Sequence, residues 1–158
     1  EVIALNNSGK HEYFHFDNEK FRQGLHLAMK HHLLGDGLTD ADRKLVTEAL
    51  LSFRNVQVHT DVMRCKHYAY LLIIHTLLGN DAERAELIHL IRSFLPIVKA
   101  EQSRALLYVT LYGCTNDHLD YVEAHALVSS WMSESDPKKS KRQLIGQLRD
   151  YDCWLGHA

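Results

Sequence analysis

Residues 69–80 read Ala69-Tyr70-Leu71-Leu72-Ile73-Ile74-His75-Thr76-Leu77-Leu78-Gly79-Asn80. Only His75 and Thr76 interrupt the apolar run. A helix built on it has no polar face to give to water and must be covered on most sides, so it is expected at the centre of the fold. The run is too short to cross a bilayer, which takes about 20 apolar residues. Gly79 supplies a left-handed helix stop, and Asn80-x-x-Glu83 then offers a cap with a reciprocal glutamate for a new helix.

The same punctuation recurs along the chain. Leu33-Leu34-Gly35 and Leu111-Tyr112-Gly113 also end apolar runs at glycine, and Thr39 and Asp117 follow as caps. Three stops of this kind predict an all-α protein of consecutive antiparallel hairpins, packed as a helical-repeat-like array or bundle.

Apolar spacing at 3.6 places the other helices. Helix one is expected over 17–34, with Asp17 as cap and Phe21, Leu25, Ala28, Met29, His32 and Leu33 as its stripe. Helix two covers 39–53, where Thr39 and Asp42 form a capping box. Helix three covers 61–78, after a connection at 54–60, and helix four covers 81–94, ending ahead of Pro96. Helix five is expected over 97–112 and helix six over 118–133. Helix seven follows over 137–151, opened by Asp136-Pro137. Residues 1–16, with a turn-like Asn-Asn-Ser-Gly, form an extended or mobile lead-in, and 17–158 form one helical domain.

The chain has 158 residues, 46% hydrophobic and 24% charged, ordinary values for a globular protein. Eighteen Lys and Arg against twenty Asp and Glu give a formal net charge of −2, which argues against a surface built for nucleic acid. Cys65, Cys114 and Cys153 are odd in number and widely spaced, a pattern of buried, reduced thiols in a cytoplasmic protein. Twelve histidines predict a stability that responds to pH between roughly 5 and 7.

Two stretches resemble degenerate tetratricopeptide hairpins. Residues 70–96 contain LLGNDAERAELIHLIRSFLP, with a Gly-Asn turn, an early small residue and a closing proline. Residues 119–131 read LDYVEAHALVSSW, similar to the Asp-Tyr-x-x-Ala start of a second repeat helix. The resemblance implies that the first helix of each hairpin lines a concave binding face. On that basis the partner-binding residues are His67, Tyr70 and Ile74 of helix three and Arg104, Tyr108 and Tyr112 of helix five. Tyrosine and arginine bring large contact area at low entropy cost. The expected activity is that of a non-enzymatic interaction module, an adaptor, regulator or chaperone-like binder. Its partner would be a protein or peptide, with homo-oligomers allowed, no membrane contact and no cofactor.

Two motifs support other chemistry. His11-Glu12-Tyr13-Phe14-His15 matches H-E-x-x-H, in which His11 and His15 share a helix face to hold Zn²⁺ and Glu12 acts as general base. A zinc-dependent hydrolase is the alternative this implies. No strand precedes the motif, and the third histidine of its extended form is missing. Lys138, Lys139, Lys141 and Arg142 crowd the start of helix seven, where positive charge opposes the helix dipole. They make an anion or nucleic-acid contact the second alternative.

Overall fold

The computed structural model describes residues 24–25, 27–29, 31–32, 35–55 and 57–132, with side chains to residue 127. Among them every regular element is helical, and six α-helices are seen. Helical residues 24–25, 27–29 and 31–32 belong to α1. The others are α2 (Asp40–Phe53), α3 (Asp61–Leu78), α4 (Asp81–Phe94), α5 (Glu101–Thr115) and α6 (His118–Met132), with a 3₁₀ turn at Leu95–Ile97 between α4 and α5. The expected seventh helix and the lead-in at 1–16 lie outside the described residues.

Local chemistry sets most of these boundaries. The Thr39 hydroxyl accepts from Asp42 N at 3.0 Å, and the Asp42 carboxylate accepts from Thr39 N at 3.4 Å, completing the capping box of α2. Thr60 caps α3 by accepting from Met63 N at 3.1 Å. At the other end of α3, Gly79 takes φ +75°, and Gly79 N and Asn80 N donate back to Thr76 O and His75 O. A side chain at this dihedral is strained even with open space around it. Gly79→Ala is therefore expected to cost about 1 kcal/mol in thermal or chemical unfolding.

Three expected features are corrected. Asn80 does not cap α4; its side-chain nitrogen meets His75 Nδ1 at 2.9 Å instead, tying the turn back to α3. Gly113 is not a stop. It is buried inside α5, and the left-handed residue that ends the helix is Asn116 at φ 60°. Helix five starts at Glu101 rather than 97, because the chain tightens into the 3₁₀ turn and then extends at Val98 and Ala100. Leu95, ahead of Pro96, keeps helical dihedrals, so α4 ends through the missing proline N–H rather than through steric exclusion at the residue before it.

Helix α3 is the hub. It packs against α2, α4 and α5, and α5 packs in turn against α6. Leu72, Ile73 and Ile74 are fully buried, as the apolar run requires, and Phe53 of α2 stacks on Tyr70 at 6.0 Å. Tyr68 of α3 meets Phe94 at the far end of α4, so these two helices run antiparallel. Helices α3 and α5 run parallel. The Cys65 thiol meets Ser103 near their starts, and Thr76 faces the Cys114 thiol near their ends without closing a well-formed hydrogen bond. Both pairs are separated by the same 38 positions, and α4 and α6 follow their partners at nearly that offset. The α5–α6 hairpin is thus laid beside α3–α4 in the same direction, not folded back as an up-and-down bundle would be.

Candidate functional site

The turn from α4 to α5 leaves a surface cavity of about 390 Å³ lined by Arg92, Leu95, Pro96, Val98, Arg104 and Tyr108. Pro96 stops α4 and starts the 3₁₀ turn, which places the apolar segment Leu95–Val98 along the cavity. Arg104 and Tyr108 stand one turn apart on α5, on the same face, and both are half-buried. Among the described residues no acidic side chain pairs with Arg104.

Arg92 comes from the last turn of α4 and is held rigidly. Its Nη1 donates to Asp120 Oδ1 at 2.9 Å and its Nη2 to Asp120 Oδ2 at 2.8 Å, a bidentate pair across 28 residues. Asp117 Oδ2 lies 3.7 Å from the same Nη2. The hydrogen bonds that the guanidinium donates to Asp120 raise its pKa above the ordinary value, outweighing desolvation. Asp120 is only 2% exposed and sits in the first turn of α6. Asp117 caps that helix, accepting from Leu119 N at 2.9 Å. The cavity therefore has a fixed wall at Arg92, a cation at Arg104, a phenol at Tyr108 and an apolar floor. That composition suits recognition of a side chain with both apolar and anionic character.

The six residues expected to share a binding face do not do so. Arg104 and Tyr108 line the cavity. His67, Tyr70, Ile74 and Tyr112 are buried, because α3 is enclosed by α2, α4 and α5 and the α5–α6 contact covers Tyr112. Tyr112 packs on Tyr121 of α6 at 5.3 Å between ring centres. Arg92, Leu95 and Val98 were not singled out from the sequence, and nothing local marks them: Arg92 and Asp120 come together only through tertiary packing. His11, Glu12 and His15, and likewise Lys138, Lys139, Lys141 and Arg142, lie outside the described residues.

Cys65 and Cys114, the thiols among the described residues, are buried and poorly placed to act as nucleophiles. Burial pushes Cys65 up to about 11, with Ser103 opposing, and Cys114 up to about 12, with Thr76 opposing. Among the described residues no three His, Cys, Asp or Glu side chains group as metal ligands would, and no helix is long and apolar enough to cross a membrane.

Two histidines are buried and resist charging. Desolvation, reinforced by Arg64, lowers the His67 pKa from 6.5. Desolvation also lowers that of His75, with Glu83 opposing and Arg54 reinforcing. With the Asn80 amide nitrogen facing the ring, His75 Nδ1 accepts and Nε2 carries the proton. A protonated ring would set donor against donor. Well above 6.5 both imidazoles are neutral, folded or unfolded, and contribute no pH dependence. Around and below that value the unfolded chain binds protons that the fold refuses. Unfolding free energy is thus expected to fall as pH drops from 7 towards 5, and His75→Gln should flatten part of that slope in urea titrations.

The fold and this cavity define an all-α protein of helical hairpins laid side by side, with a mixed cationic and apolar recess at the link between two of them. Comparisons with protein-family models, with curated proteins and with solved structures found no match.

Proposed function

We propose that the protein is a helical interaction module, an adaptor, regulator or chaperone-like binder, which takes a segment of a protein partner at the α4–α5 cavity. The observation that carries this reading is the convergence of Arg92, Arg104 and Tyr108 over Leu95, Pro96 and Val98. Arginine and tyrosine around an apolar recess are the composition of binding hot spots. The parallel, 38-residue offset of α3 and α5 supports a repeat of tetratricopeptide-like hairpins, an architecture whose stacked units present extended surfaces to partners. High-pKa, buried thiols accord with a reduced, cytoplasmic setting.

The test is affinity capture with the full chain from its host, comparing wild type with Arg104→Ala/Tyr108→Ala and quantifying each recovered protein. Both side chains are half-buried and border the cavity, so circular dichroism and melting temperature should change little. Recovery of the specific partner should fall about ten-fold or more. A folded double variant that recovers every partner undiminished rejects the cavity as the binding site.

A further inference from the structure

We propose that a second groove, between α3 and α4, docks a basic amphipathic segment of a partner protein. The inference rests on the reading of the chain as an interaction module, but uses a different surface from the arginine-lined cavity. The groove has a volume of about 420 Å³. Buried Leu71 and His75 of α3 form its floor, half-buried Leu87 its wall, and exposed Leu90, His89, Glu83 and Glu86 its edge.

The two faces of α4 have different fates. Arg84, Ile91 and Arg92 face α5 and α6: Arg84 donates to Cys114 O, Ile91 is fully buried, and Arg92 binds Asp120. Glu83, Glu86, Leu87 and Leu90 recur at spacings of three and four, so they share the other face. Neither glutamate forms an ion pair with a described residue. Glu83, in the first turn, is favoured by the helix dipole in any case, but Glu86 lies beyond it. Arg54 acts on His75 from the end of α2, which leaves the α4 edge acidic.

A groove lined by Leu71, Leu87 and Leu90 with carboxylates along its edge selects its complement. Leucine or isoleucine side chains of an incoming helix fill the floor, and lysines or arginines one turn away meet Glu83 and Glu86. The charge pairs select between partners, and the apolar contact supplies attraction common to all of them.

The experiment uses the full chain and two fluorescein-labelled peptides, one repeating Leu-Lys-Lys-Leu and one repeating Leu-Glu-Glu-Leu, in fluorescence anisotropy at about 0.1 M salt. Wild type should bind the lysine peptide about ten-fold more tightly than the glutamate peptide, and Glu83→Lys/Glu86→Lys should reverse the order. If that variant melts early, Glu86→Lys alone avoids the first turn and should reduce the preference about three-fold. An unchanged preference in folded variants overturns the proposal. So does a wild-type chain that self-associates in sedimentation and turns monomeric on Glu86→Lys, which would assign the groove to a second copy. Arg104→Ala/Tyr108→Ala should leave the peptide preference intact, so failure of the cavity and failure of the groove are read separately.

Discussion

Replacing Ile74 by alanine is expected to destabilise the protein by about 2–5 kcal/mol while leaving the partner affinity of the folded fraction unchanged. Ile74 is 0% exposed, about one turn before the end of the helix that α2, α4 and α5 enclose. Deleting its outer carbons removes apolar contact and leaves a cavity, since neighbours on three sides cannot all close in. For a domain with a total stability of roughly 5–15 kcal/mol, that is a large fraction. Urea unfolding measures it directly. The repeat resemblance placed Ile74 on a concave face with Tyr70, where alanine would spare stability and weaken capture. A loss below about 1 kcal/mol would restore that placement and contradict the enclosed position of α3.

Arg92→Met should be the most damaging change of a charged residue in the described region, at about 2–3 kcal/mol. Both Asp120 oxygens are bonded to the guanidinium, and Asp120 is 2% exposed, so removing the cation leaves a buried carboxylate with no counter-charge there and only the long 3.4 Å contact from the Thr115 hydroxyl. The figure is set below that for a fully buried pair because the Arg92 side chain is 41% exposed and water screens the interaction. The reverse change should be milder. Asp120→Asn frees an arginine that reaches solvent, and about 1 kcal/mol is expected. Arg92→Lys should fall between them, keeping the charge but losing the fork. Chemical denaturation of the three variants checks the order. If Asp120→Asn proved worse than Arg92→Met, carboxylate desolvation would not be the governing cost. Hydrogen exchange should rise first in α6, because Asp120 lies in its first turn and ties that helix to α4.

The limits of α2, α3, α4 and α6 were readable to within a residue, because most of their signals are local. Thr39 and Asp42 cap each other across three positions, Gly79 reaches a left-handed dihedral at little cost, and Asp117 needs only the next two residues to cap α6. The failures share a cause. Gly113 has the composition of a stop but lies buried within a helix that continues to Thr115, and Asn116 takes the left-handed role. Asn80 has the composition of a cap, yet His75 offered its side chain a partner on the preceding helix. The glycine spacings of 44 and 34 hid a common offset of 38, which emerges only when Cys65 is seen against Ser103.

Of the candidate cavity, Arg104 and Tyr108 were visible as large side chains one turn apart, and Pro96 as a helix stop. Arg92 was not, since its meaning depends on Asp120 from another helix. Helical class and the limits of most helices follow from hydrogen-bond caps, proline, glycine and the 3.6-residue period, all of which act within a few residues. Which apolar stripe becomes floor, wall or deep core follows from the helices that pack against it. A stripe shows which side must leave water but carries no record of its neighbours, so the burial of Tyr70 and Ile74, the Arg92–Asp120 tie and both grooves on α4 were decided by tertiary packing alone.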